Sequence, residues 1–159
     1  MKILMVCLGN ICRSPLAEGI MQEKIRERGL DWSVDSAGTG SWHIGEKPDV
    51  RSISEARRNG IDITSQRARQ FTSADLDQFD LVLAMDRSNL RNIRSLITNK
   101  EQEQKIHLIM DMAHPGNFSD VPDPYWDDDG FSQVYRMLDA ACDKIIDRLM
   151  KGEIKMPVS

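Results

Sequence analysis

Ile3-Leu4-Met5-Val6-Cys7-Leu8-Gly9-Asn10-Ile11-Cys12-Arg13-Ser14-Pro15 lies near the start of the chain and decides its fold. Ile3 to Val6 is an unbroken apolar run of strand length, the pattern of a strand covered on both faces. Gly9 and Asn10 break the run, and Pro15 marks the start of a helix. Leu16, Ile20, Met21 and Ile25 then recur at helical spacing until Gly29 stops them. The same alternation repeats outward from this unit. Trp32 to Ser36, closed by Ala37-Gly38, predicts a second strand. Val50, Ile53 and Ala56 predict a helix that ends at Asn59-Gly60. Leu81 to Ala84 predicts a third strand, followed by a helix marked by Leu90, Ile93, Leu96 and Ile97. Ile106 to Met110 predicts a fourth strand. A loop rich in Pro and Asp leads to the clearest helical stripe, from Phe131 through Val134, Tyr135, Leu138, Cys142, Ile145 and Ile146 to Leu149. Strands alternating with helices imply an α/β fold with a parallel sheet covered on both faces, in one domain over 1–159. In such sheets the ligand sits beyond the carboxyl ends of the strands, here after Val6, Ser36, Ala84 and Met110.

Charge and composition exclude several classes. Of 159 residues, 21 are Lys or Arg and 25 are Asp or Glu, a net charge of −4. Without a dense basic stretch, the chain is not a general nucleic-acid binder. No apolar run approaches the ~20 residues of a membrane span. The run from Ile3 to Leu8 is too short for a signal-peptide core and is taken as a buried strand. There are three cysteines, Cys7, Cys12 and Cys142, with no C-x-x-C pair and no neighbouring His. That pattern argues against a metal site and for a cytoplasmic protein with functional thiols.

The loop after the first strand carries the chemistry. It sets the Cys7 thiol and the Arg13 guanidinium six residues apart, on a segment that feeds a helix. Such a loop turns its backbone N–H groups inward and makes an anion site, aided by the helix dipole. Gly9 and Asn10 tolerate the positive φ that the curl requires. A positive environment favours a thiolate at Cys7, and Arg13 offers a planar fork to two phosphoryl oxygens. Ser14 is within reach of the thiolate. No Gly-Lys-[Ser/Thr] is present, so ATP or GTP is not implied. Attack on phosphorus needs a proton donor for the leaving oxygen. Asp123, held between Pro122 and Pro124 after the fourth strand, is the candidate, with Tyr125 and Trp126 beside it to wall an aromatic substrate.

Four segments, Val6 to Pro15, Asp35-Ser36-Ala37-Gly38-Thr39, Ala84-Met85-Asp86-Arg87-Ser88-Asn89-Leu90 and Asp123-Pro124-Tyr125, resemble the low-molecular-weight protein tyrosine phosphatases. The likeness spans essentially the whole chain, in the family's order and spacing. It implies a three-layer fold whose four-stranded parallel sheet has the order 2-1-3-4. It also implies hydrolysis of phosphotyrosine in proteins and of aryl phosphates, without metal or organic cofactor. By position, Cys7 matches the family nucleophile, Arg13 its phosphate clamp and Asp123 its general acid. Leu8, Gly9, Asn10, Ile11, Cys12 and Ser14 form the loop that receives inorganic phosphate or other oxyanions. Asn10, Ser14 and Ser36 match the polar network that shapes this loop. Trp42 matches an aromatic at the mouth of the pocket, opposite Tyr125 and Trp126. A His that many relatives carry in the network falls at Asn59. The tandem Tyr of eukaryotic members is Tyr125-Trp126, which removes one of the two phosphorylation targets. Cys12, close to Cys7 on the same curl, is expected to protect it from oxidation through a reversible disulfide.

Other readings of the same scaffold are weaker. A thioredoxin-coupled arsenate reductase needs a further Cys pair after the third strand, and Ala84 to Thr98 has none. Relatives acting on phosphoarginine resemble this chain but carry Thr in place of Ile11. A phosphoryl carrier has no use for Arg13 and Asp123, and an idle phosphate-binding module has no use for the three groups together. His43, His107 and His114 are expected at the surface or in packing. Asp127-Asp128-Asp129 is expected to cap the last helix, and Arg51, Arg57, Arg58, Arg67 and Arg69 to lie on exposed faces.

Overall fold

A computed structural model describes residues 1–154; residues 155–159 of the domain expected over 1–159 lie outside the described residues. Its sheet is parallel throughout and its four strands, numbered along the chain, lie in the order 2-1-3-4, as the resemblance implied. The strands are β1 (Lys2–Cys7), β2 (Ser33–Gly38), β3 (Leu81–Ala84) and β4 (Ile106–Leu108). Cys7 pairs with Gly38 and Val6 with both Ala37 and Ala84, so the carboxyl ends of β1, β2 and β3 finish level. The helices are α1 (Arg13–Glu27), α2 (Val50–Arg58), α3 (Asp75–Gln78), α4 (Arg87–Arg94), α5 (Lys100–Gln104), α6 (Ile109–Ala113) and α7 (Gly130–Met150).

The unbroken apolar run of β1 is explained by two cores. Successive side chains of a strand face opposite ways. Ile3, Met5 and Cys7 join α1, α6 and α7 in one apolar cluster, and Leu4 and Val6 join Leu76, Leu90 and Ile93 in another. All five of these β1 residues are buried, each aliphatic side chain contributing about 1.5–3 kcal/mol by leaving water. Layers of helix on both faces are therefore required, and they are present.

The stop signals at Gly29 and Gly60 are helix ends with φ of 63° and 80°, values that glycine adopts without strain. Several details differ from expectation. The second strand starts at Ser33, with Trp32 packed at the core edge. Helix α1 begins at Arg13, two residues before Pro15, so Arg13 and Ser14 occupy its first turn. The fourth strand ends at Leu108, because Ile109, Met112 and Ala113 bury themselves at helical spacing in α6. Val50 points to solvent, and α2 instead buries Ser52, Glu55 and Ala56. Among the described residues, no helix is long and apolar enough to cross a membrane.

Candidate active site

The segment from Cys7 to Cys12 curls because its carbonyls are drawn outward. Cys7 O accepts from the Thr39 N–H and Leu8 O from the Gly40 N–H, both at 2.9 Å. Ile11 O accepts from the Asp49 N–H at 2.8 Å, and Cys12 O from the Ser52 hydroxyl at 3.2 Å. The residues after β2 and the start of α2 thus strap the loop on two sides. Among the described residues, the N–H groups from Leu8 to Cys12 meet no acceptor of the protein, and buried N–H groups normally have one. Inward donors at the start of a helix form an anion cradle. Asn10 makes the turn possible with φ of 57°, the only positive φ outside glycine among the described residues. Gly38 lets β2 pass beneath: a Cβ there would lie 2.7 Å from Leu8 O and 3.0 Å from the Gly9 carbonyl carbon.

Cys7 lies at the floor of the cradle, only 3% exposed. Its sulfur is 3.0 Å from Ser14 Oγ. Arg13 is equally buried and is fixed by its Nη1, which donates to Asp86 Oδ2 at 2.6 Å and to Val121 O at 2.9 Å. Burial opposes the charge on Arg13, but Cys7 and the bonded Asp86 more than offset it and hold the guanidinium protonated. Asp86 is itself immobilised as the cap of α4, exchanging hydrogen bonds with Asn89. Nη2 of Arg13 faces Asp123 Oδ2 at 3.8 Å. Asp123 is extended, as Pro122 and Pro124 demand, and its Oδ1 accepts from the Tyr125 N–H at 3.0 Å. The Val121 N–H, bonded to Met85 O at 2.9 Å, ties this loop to the end of β3.

Together these groups bound a cavity of about 290 Å³. Cys7, Leu8, Gly9, Ile11, Cys12, Arg13, Trp42, Asp123, Tyr125 and Trp126 all line it. The side chains of Asn10 and Ser14 hold the loop from behind and do not open onto the cavity, because both are spent on internal hydrogen bonds, while the Asn10 N–H remains among the cradle's donors. Asn59 is also displaced from the place the resemblance gave it. Its amide donates to Glu55 O at the end of α2, outside the network of Asn10, Ser14 and Ser36. Asp127 to Asp129 give α7 no side-chain cap; Asp128 pairs instead with Arg51, which lies over the Tyr125 ring. Arg69 is no ordinary surface residue, since its N–H holds Asn10 Oδ1 while its side chain pairs with Asp35 and Asp75.

Sequence reasoning missed three contributors. Asp86 stands at the carboxyl end of β3, where α/β sheets place their ligands, and that position was its signal. Glu18 follows Ser14 by one turn of α1, and its carboxylate accepts from the Ser36 hydroxyl at 2.6 Å. His43, bonded to Glu46, lines the cavity beside Gly9 and had only its adjacency to Trp42 to betray it.

A parallel α/β protein with an anion cradle, a floor thiol, a buried arginine and a carboxylate facing it belongs among the cysteine-dependent phosphatases in architecture. Residues 2–155 match the family described as low molecular weight phosphotyrosine protein phosphatase, and the chain belongs to that family. A putative low molecular weight protein-tyrosine-phosphatase of Synechocystis is 42% identical over 154 residues, covering 95% of this chain and 98% of that protein. The crystal structure of a protein tyrosine phosphatase from Entamoeba histolytica superimposes with a TM-score of 0.89 at 36% identity, over 96% of this chain and 99% of that one. The Drosophila arginine phosphatase superimposes with a TM-score of 0.84 at 31% identity, over 94% and 98% of the two chains.

Proposed function

We propose that the chain is a protein tyrosine phosphatase acting through a phosphocysteine at Cys7. The observation that carries this is the convergence of Cys7, Arg13 and Asp123 on one cavity with aromatic walls. A lone pair of the Cys7 thiolate attacks phosphorus, the bond to the phenolic oxygen breaks, and Asp123 gives that oxygen its proton. Asp123 then takes a proton from water as the water oxygen attacks phosphorus, and the S–P bond breaks to release phosphate. Arg13 and the loop N–H groups bear the equatorial oxygens through both steps, where transition-state charge gathers.

The substrate class follows from depth. The thiol sits on the cavity floor, and Trp42, at 71% exposure, and Trp126, at 89%, stand at its mouth. A flat aryl ester spans that distance and touches the walls, whereas phosphoserine is too short to reach the sulfur and both walls together. Ile11 presents an apolar side chain to the cavity, which suits a phenyl ring better than a guanidinium group. Turnover of a phosphotyrosine peptide, with phosphoserine and phosphoarginine peptides alongside, tests the reading. Phosphotyrosine is expected to be hydrolysed fastest. Faster cleavage of phosphoarginine would transfer the chain to the arginine branch and make Ile11→Thr the next variant. Arsenate reduction has no second thiol to draw on in the cavity beyond Cys12, since Cys142 is buried in α7 with its thiol pushed up to about 12 by burial.

Redox protection through Cys12 belongs to the same reading. Peroxide converts the Cys7 thiolate to a sulfenic acid; the Cys12 sulfur then displaces its hydroxyl as water and closes a disulfide. Burial, reinforced by Asp49, pushes the Cys12 thiol well above its ordinary range, so closure accompanies a loosening of the loop. After peroxide and then dithiothreitol, the parent is expected to recover activity and Cys12→Ser to recover much less. Equal recovery, with no Cys7–Cys12 peptide by mass spectrometry, would remove Cys12 from this role.

A further inference from the structure

Behind the Cys7 loop, hydrogen bonds run in one direction only. The Arg69 N–H donates to Asn10 Oδ1 at 3.0 Å and so fixes which way the Asn10 amide points. Its nitrogen then gives one hydrogen to Ser14 Oγ at 2.8 Å and the other to Ser36 Oγ at 2.9 Å. Each serine oxygen therefore accepts from Asn10 and must direct its own hydrogen elsewhere. Ser14 directs it to the Cys7 sulfur at 3.0 Å, and Ser36 to Glu18 Oε1 at 2.6 Å.

We propose that Glu18 is a positioning residue for Cys7: its carboxylate anchors the Ser36 hydroxyl, whose oxygen in turn holds in place the Asn10 amide that directs the Ser14 hydroxyl at the nucleophile. Without that terminal acceptor, the Ser36 hydroxyl is free to turn, and Asn10 loses one of the ties that hold it at positive φ.

The surroundings of Glu18 suit a device more than a structural support. It lies on α1, faced by Asp35 of β2 and by Arg69 from the segment before α3. Burial pushes its carboxyl up to about 7; Asp35 adds to the rise, while the Ser36 bond and Arg69 oppose it. A raised carboxyl means that the folded protein holds the proton more tightly than the unfolded chain. The charged form therefore costs stability, a cost absent below the ordinary carboxyl range and complete above about 7. Below that point Glu18 is a neutral and weaker acceptor, and the tie it provides to Ser36 slackens.

The proposal rests on Cys7 as the nucleophile, but iodoacetate alkylation of Cys7, read by peptide mapping, tests it without any phosphorylated substrate. Glu18→Leu and Ser36→Ala are each expected to slow alkylation and kcat by about 3- to 10-fold at pH 8, the net worth of one hydrogen bond. The double variant is expected to be no slower than the slower single one, since both remove the same link. Glu18→Gln keeps an acceptor oxygen. As a neutral acceptor it should alkylate at pH 8 more slowly than the parent but no more slowly than Glu18→Leu, lose the inflection expected of the parent near pH 7, and melt no lower than the parent. Multiplying losses in the double variant, or an unchanged inflection in Glu18→Gln, would overturn the assignment. Should Glu18→Leu not fold, Glu18→Gln and Ser36→Ala decide alone.

Discussion

Cys7→Ser is expected to fold, to bind phosphate and to turn over no aryl phosphate. The side chain loses little by the exchange, because its neighbour Ser14 can hydrogen-bond an alkoxyl oxygen as it does sulfur at 3.0 Å. The cradle is built from backbone groups and Arg13, neither of which the substitution touches. What disappears is the polarisable thiolate that attacks phosphorus, and with it on the order of 10⁶ in kcat, the loss when a covalent nucleophile is removed. The parent should meanwhile work undiminished in EDTA, since every step is assigned to side chains of the chain. Phosphate affinity by calorimetry and initial rates on an aryl phosphate check both halves. Appreciable turnover by Cys7→Ser would remove Cys7 from the nucleophilic role.

Asp123→Ala should separate proton transfer from anion binding. The carboxylate faces Arg13 Nη2 at 3.8 Å, near the place where the leaving oxygen must depart. Removing a general acid lowers turnover by roughly 10²–10⁴. The loss should be largest for an ester of a weakly acidic phenol and should shrink for a phenol that leaves without a proton. Asp123 is also the cap of the turn Pro124–Trp126, so a purely structural role is a real competitor. A loss that stays equal across leaving groups would favour that competitor. Asp123→Asn, which preserves the acceptor for the Tyr125 N–H, should show the same dependence on leaving group.

The sheet was legible because its central strands are buried on both faces, which writes Ile3–Val6 and Leu81–Ala84 as continuous apolar runs. Short helices were not. Helix α5 is held by an Asn99 cap and is almost wholly polar, and α6 continues the apolar run of β4 without a break in composition. In both, local hydrogen bonding or tertiary packing decides what periodicity over five residues cannot. The site was legible where one loop carries it: Cys7 and Arg13 arrive together, and spacing places them. Asp86, His43 and Glu18 come from three further segments, and of these Asp86 alone had a clear signal, its place just after β3. Only the topology brings them to the Cys7 loop and its supports. For Asn10 and Ser14 the sequence could not separate a side chain that faces the cavity from one that holds the loop behind it.

The most direct measurement is rapid acid quenching of the parent enzyme during turnover of a phosphotyrosine peptide, followed by mass spectrometry of the peptide containing Cys7. The added mass of one phosphoryl group is expected on Cys7, formed within the first turnover and absent from Cys7→Ser. Turnover with no phosphoryl group on the enzyme, or with one on another residue, would contradict a phosphocysteine at Cys7.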